Sequence, residues 1–425
     1  MVECGRASDR RGSPLQRCIA AAASGILVAC ASPSEPGAPV AERSFAQALA
    51  READLPESRP LASDDGFFHA QVGARLVEPL RAAEDRYYAQ LDVGAGVPIR
   101  CSFFRGRLDM ASALALASES AFRAIGESLG RLEARQIHRI DAGAVGDAPF
   151  LSIAWLYRLH DGTRPVVGQL KQAIATKGQR SVACQHNEVG YVQTFDRLFA
   201  DLMGSIRYAA ETGWPPFYRE IWTASVGPQR LGVQQLTLTL QDSGDARMES
   251  ALAMLVPIGT DRATVTDAYR VEYSTSDGVL IQASEVKAED NAITTNLDLL
   301  PQPDGSWRVS GRYQSKPFDA SFQPAGHLLS YLGQTWQLRR ALRLEGVAAA
   351  VSTPVWDANA DPSRLVDSTA TITGAVGDGD YSATFTLGEL RMEGVVDARG
   401  SMKSASMEVG EVTLDYERIF VEGDL

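Results

Sequence analysis

A chain of 425 residues and 45.8 kDa has the length of two or three domains and ample apolar material for real cores. Its 45% hydrophobic and 22% charged residues are those of a globular protein and exclude a disordered or collagen-like chain. With 41 Lys+Arg against 53 Asp+Glu and a net charge of −12, the long-range field repels polyanions, so no nucleic acid is expected as a partner.

Residues 1 to 17 carry Arg6, Arg10, Arg11 and Arg17, and an apolar run from Cys18 to Ala29 follows, broken only by Ser24. A basic stretch before an apolar core well short of the ~20 residues that span a bilayer is the pattern of a secretory leader. The run ends in Leu27-Val28-Ala29-Cys30. Here the chain resembles the bacterial lipoproteins, whose leader closes on an aliphatic residue, a small or aliphatic residue and a small residue before the cysteine that is lipidated. The resemblance covers residues 1–30 alone. It implies a signal peptide over 1–29 and acyl chains such as palmitate on Cys30. With Ala31 rather than Asp after the cysteine, it also implies an outer-membrane anchor with the protein facing the periplasm. More than one acyl chain makes such an anchor stable. Residues 30–43 hold three prolines and, before Glu42, no sizeable hydrophobic side chain except Val40, which predicts an extended, lipidated tether.

Of five cysteines, Cys4 and Cys18 fall in the leader and Cys30 takes the lipid. Cys101 and Cys184 remain, and in an oxidising envelope compartment they are expected to form a disulfide. The alternative makes Cys184 a nucleophile, because His186 lies two residues on and shares its face if the segment is a strand. No flanking signature of a cysteine hydrolase accompanies the pair.

Residues 44–212 read as an α+β domain. Leu114, Phe122, Ile125, Leu129 and Leu132 recur at helical steps and predict a helix from Asp109 to Arg135. Leu151, Ile153, Trp155, Tyr157 and Leu159 alternate as in a strand. Asp161-Gly162 signals a hairpin, and Val166 to Ile174 and Ser181 to Cys184 supply further strands. Tyr191, Phe195, Leu198, Leu202 and Ile206 predict a second helix. The expected arrangement is N-terminal helices on a small antiparallel sheet, laid over one of its faces.

Thr212 to Phe217, with Pro215 and Pro216 adjacent, marks the domain boundary. Residues 218–425 read as a β-rich antiparallel domain, a sandwich or half-barrel, because apolar residues there alternate with polar ones between Asp-Gly turns. Tyr269, Val271 and Tyr273 alternate with Arg270 and Glu272, and Ile293 to Leu299 and Trp307 to Tyr313 flank Asp304-Gly305 with their apolar residues on one face. Residues 327–344 predict the helix of this half. In a cupped sheet, Trp307, Tyr313, Phe318 and Trp336 would line a ligand cavity.

The five histidines lack the spacing of a zinc motif, and no nucleophile elbow, phosphate loop or complete dinucleotide fingerprint occurs. Ser284 and Lys287 fit Ser-x-x-Lys, yet in a strand they face opposite sides. The candidate metal site is Asp357, Asn359 and Asp361, whose oxygens recur every second residue as in a calcium loop, although Pro362 replaces the turn glycine and Ser368 the bidentate Glu. Calcium is the one cofactor this pattern allows. The expectation is a membrane-tethered periplasmic lipoprotein, non-enzymatic, whose β-rich domain binds a hydrophobic envelope ligand or an envelope protein. The alternative is a carboxylate-based hydrolase of cell-envelope components, because paired acids converge only in three dimensions.

Overall fold

A computed structural model describes residues 43–209, 214–377 and 379–425. The leader, the lipobox with Cys30 and the tether up to residue 42 lie outside the described residues. The first part runs α1 (Arg43–Leu49), β1 (Arg59–Ala62), β2 (Phe68–Val72), β3 (Arg75–Leu76), β4 (Arg81–Ala82), β5 (Arg86–Asp92), β6 (Ile99–Phe104) and α2 (Met110–Leu129). It continues with β7 (Arg131–Val145), β8 (Ala148–His160), β9 (Pro165–Lys177), β10 (Arg180–His186), α3 (Val192–Ser205) and β11 (Arg207–Tyr208). Strands β1, β2 and β11 form a three-stranded sheet. The others form an eight-stranded sheet in the order β3-β5-β6-β10-β9-β8-β7, with β4 also on β5. Every pairing is antiparallel.

Cys101 of β6 and Cys184 of β10 stand directly opposite each other in the ladder and are joined by a disulfide across a Cα–Cα distance of 4.1 Å. The predicted nucleophile is therefore a bonded sulfur, buried with its partner in the core.

Two expectations for this part are corrected. The helix foreseen through Arg135 stops at Leu129, because Gly130 turns at φ 129° where a Cβ would lie 2.3 Å from the His160 carbonyl oxygen. Beyond it Leu132 pairs with Leu159 in the β7–β8 ladder. A spacing of three between Leu129 and Leu132 suits a helix, and only pairing with a distant strand overrides it. The helices also do not share a face of the sheet. Ala173 and Ala175 of β9 pack with Phe195 and Leu198 of α3, whereas Leu170 and Ile174 pack with Leu114 and Phe122 of α2. Strand alternation thus puts one helix on each side.

The second part is a single sheet of fourteen strands. It runs β12 (Pro216–Val226), β13 (Gln229–Leu240), β14 (Ala246–Pro257), β15 (Ala263–Ser274), β16 (Leu280–Glu289), β17 (Ala292–Pro301), β18 (Trp307–Tyr313) and β19 (Lys316–Phe322), then α4 (Tyr331–Glu345). It then returns as β20 (Ala350–Trp356), β21 (Leu365–Gly377), β22 (Asp380–Leu387), β23 (Leu390–Val396), β24 (Met402–Val409) and β25 (Val412–Gly423). Two meanders are joined where β25 pairs with β12. The sheet is open, with β19 and β20 at its ends. A register shift between β16 and β17 beside Ile293 leaves that residue 53% exposed, while Leu297, Leu299, Trp307 and Val309 are buried together. One extra residue in a ladder moves a side chain to the other face, so the apolar residues of this hairpin do not all share a side.

One core spans both parts. Ile221, Val233, Leu255 and Val265 of the large sheet pack with Leu114 of α2 and with Leu151 and Trp155 of β8. Asp267 of β15 crosses the same boundary. Its carboxylate accepts the Ala111 and Ser112 amides at 3.0 and 2.7 Å, doing for α2 what its own N-cap, Asp109, does not. Burial holds the Asp267 carboxyl above its ordinary range.

Candidate functional site

The faces of β13 to β16 that turn away from this shared core border a cavity of about 400 Å³, with α4 and strands β20 to β23 as its other walls. That volume falls within the ~300–1,000 Å³ typical of small-molecule sites. Leu236, Met248, Leu338, Val355, Trp356 and Phe385 supply much of its apolar wall.

The position of α4 is fixed by its N-terminus. Ser330 caps it by accepting from the Gly333 amide, and its hydroxyl donates to the Gly278 carbonyl at 3.1 Å. Glu272 of β15 accepts the Tyr331 amide at 2.9 Å, placing a carboxylate where the helix dipole favours one. Gly278 and Gly333 touch so closely that a Cβ on either would come within 2.4 Å of the other's backbone.

The polar end of the cavity centres on Arg270. It stands opposite Glu285 in the β15–β16 ladder and donates to Glu285 at 3.1 Å, to Glu272 at 2.9 and 2.7 Å and to the Trp356 carbonyl at 3.2 Å. Its guanidinium lies 5.2 Å from the Trp356 ring centroid. Asn359 donates to the second oxygen of Glu285 at 2.8 Å, and burial pushes the Glu285 carboxyl up from its ordinary range. A neighbouring network holds the Tyr331 hydroxyl. Glu220 accepts from Tyr218 at 2.7 Å and from Tyr331 at 3.0 Å, and Arg418 lies 3.8 Å away. Burial, then the Glu220 charge, raises the Tyr331 hydroxyl well above the ordinary tyrosine value.

Of the calcium-loop residues, Asp357 lines the cavity and accepts the Asn359 amide at 2.9 Å. Asn359 turns to Glu285. Asp361 accepts from the Ser363 hydroxyl at 2.6 Å and pairs with Arg364 at 3.0 Å. Asn359 and Asp361 are taken up by the Arg270 network and by a turn of their own loop, and Asp357 keeps one carboxylate oxygen without a hydrogen-bond partner among the described residues. Among the described residues no three His, Cys, Asp or Glu side chains gather where a metal ion could sit. The acids beside the cavity do converge, as a carboxylate hydrolase would need, and Glu272 and Glu285 are both ion-paired with Arg270.

The aromatic residues expected along a cavity do not line this one. Trp307, Tyr313 and Phe318 pack in an adjacent cluster against Trp356, and Trp336 packs with Tyr218 and Leu236. The cavity's aromatic residues are Tyr331, Trp356 and Phe385. Arg270 and Glu272 carried a readable signal in their strict alternation with Tyr269, Val271 and Tyr273. Alternation suggested a wet face for them; instead Glu272 is 4% exposed, because that face meets α4 and the returning strands.

No family model matches this chain, and no curated protein matches it. Among solved structures, a β-barrel-like protein of the domain of unknown function DUF1849 from Brucella abortus is 12% identical. It covers 48% of this chain and 96% of its own, with a TM-score of 0.39. A DUF1089 family protein from Pseudomonas aeruginosa is 13% identical over 46% of this chain and 93% of its own, with a TM-score of 0.20. Superposition at these scores carries no functional argument. Among the described residues no helix is long and apolar enough to cross a membrane.

Proposed function

We propose that this chain is a lipoprotein of the bacterial envelope, anchored through Cys30 to the outer membrane and facing the periplasm. Its large sheet holds a small hydrophobic ligand in the cavity between β13–β16, α4 and β20–β23. The cavity supports this reading: apolar side chains converge on it with a compact polar end, the composition of a site that binds by burial and orients by a few hydrogen bonds. The disulfide in the core accords with an oxidising compartment.

The test is native mass spectrometry of the full chain secreted as Cys30→Ser, repeated after denaturation. A lipid-sized adduct that is lost on unfolding is the expected result, and a clean mass before denaturation overturns the ligand reading. The anchor is tested by radioactive fatty-acid labelling in the producing cells. Label in the unmodified chain and none in Cys30→Ala is expected; equal label in both overturns the anchor.

A further inference from the structure

Charge at the polar end of the cavity says which ligands it accepts. Arg270 is the one basic residue in the cavity lining among the described residues, and four of its five N–H donors are already committed. Nε and Nη2 reach Glu272, Nη2 also reaches the Trp356 carbonyl, and Nη1 reaches Glu285. A guanidinium has five N–H donors in all. An incoming carboxylate or phosphate would find one N–H left, on a guanidinium already paired with two buried acids.

Acids outnumber it. Glu272 and Asp357 line the cavity, and Glu285 stands behind them, 3% exposed. Glu272 is satisfied by Arg270 and the Tyr331 amide, and Glu285 by Arg270 and Asn359. Asp357 differs: one oxygen accepts the Asn359 amide, and the other has no hydrogen-bond partner among the described residues. Trp356, Tyr331 and Phe385 line the same cavity; aromatic faces attract cations, and Arg270 already lies over the Trp356 ring at 5.2 Å from its centroid.

We infer that the cavity selects an amphipathic molecule with a positively charged head, an alkylammonium, and that Asp357 is the residue that sets this preference. The inference rests on the cavity-binding reading above and adds the class of ligand. The alkyl chain lies along Leu236, Met248, Leu338 and Val355, and the head sits against the unpartnered oxygen of Asp357. Fatty acids and anionic phospholipid heads are rejected, because in a low-dielectric cavity two like charges repel as strongly as opposite ones attract.

Three probes with the same chain and different heads decide it: decyltrimethylammonium, decanol and decanoate, titrated into the Cys30→Ser chain by calorimetry, the two ions below their micelle concentrations and decanol below its solubility limit. Decyltrimethylammonium is expected to bind tightest, on the order of tenfold or more above decanoate, with decanol between. Asp357→Asn keeps the acceptor for the Asn359 amide, narrows that ratio several-fold and leaves decanol unchanged. Ser368→Lys, which adds a cation to the lining, reverses the order and serves if Asp357→Asn does not fold. Ala370→Trp fills the cavity and abolishes binding of all three. Decanoate binding as tightly as the ammonium, or a ratio unmoved by Asp357→Asn and by Ser368→Lys, overturns the inference while cavity binding stands. Failure of all three probes to bind removes the binding reading and the inference with it.

Discussion

His186 makes the stability of the fold depend on pH in a way that can be worked out from its surroundings. The ring is 1% exposed, lies parallel to Phe195 at 6.5 Å between centroids and places Nε2 3.0 Å from the Val97 carbonyl oxygen. A carbonyl only accepts, so Nε2 carries the proton, and Nδ1 has no hydrogen-bond partner among the described residues. Burial first, and then the nearby Lys171 charge, push the imidazole down from 6.5 to about 4. The folded protein therefore refuses a proton that the unfolded chain accepts. Stability from this group is complete above pH 6.5 and is lost as pH falls towards 4. At ~1.4 kcal/mol for each pH unit, the loss over that window is about 3 kcal/mol. The comparison is between the wild type and His186→Phe, which keeps the ring stack and does not titrate. Urea unfolding is followed at pH 7.5, 6, 5 and 4. The wild type should lose about 3 kcal/mol relative to the variant between the first and the last, and NMR should show the ring neutral in the folded protein at pH 5. Parallel pH curves, or a folded-state titration near 6.5, would refute the reasoning.

Replacing both Cys101 and Cys184 by Ala, which opens a loop of 83 residues, should cost about 4 kcal/mol in urea unfolding; an unchanged midpoint under non-reducing conditions would show that the bond does not form. Asp267→Ala removes the acceptor of two amides at the start of α2 and should cost ~1–2 kcal/mol, with Asp267→Asn between it and the wild type, both read from urea midpoints. Leu114→Ala empties a site that is 3% exposed in the core shared by both parts. It should cost about 3 kcal/mol while fluorescence and circular dichroism still report one transition. Two separated transitions would show that the parts unfold independently.

Much of the secondary structure is written locally. Alternation at Leu151 to Leu159, the Asp161-Gly162 turn and the helical repeat from Phe195 to Leu202 each declare themselves within a few residues, and β8, β9 and α3 stand there. The helix expected over 327–344 occupies Tyr331–Glu345, its start moved by the Ser330 cap. The disulfide followed from counting cysteines. What failed was whatever depended on a distant partner. Leu132 entered a strand because β8 lay alongside, and Ile293 left the buried face because of a one-residue shift against β16.

The candidate site shows the same division. By itself the chain determined which residues of β15 share a face, because the strand period of two is local, and it put Arg270 and Glu272 on the side opposite Tyr269 and Val271. It did not determine what that side meets. Only the tertiary structure decided it, when the second meander returned through the β25–β12 pairing and brought α4, Trp356 and Asp357 over the face that alternation alone assigns to water. Periodicity fixes the direction of a side chain from its own backbone, whereas burial, charge balance and a cavity belong to surfaces that meet from far apart in sequence.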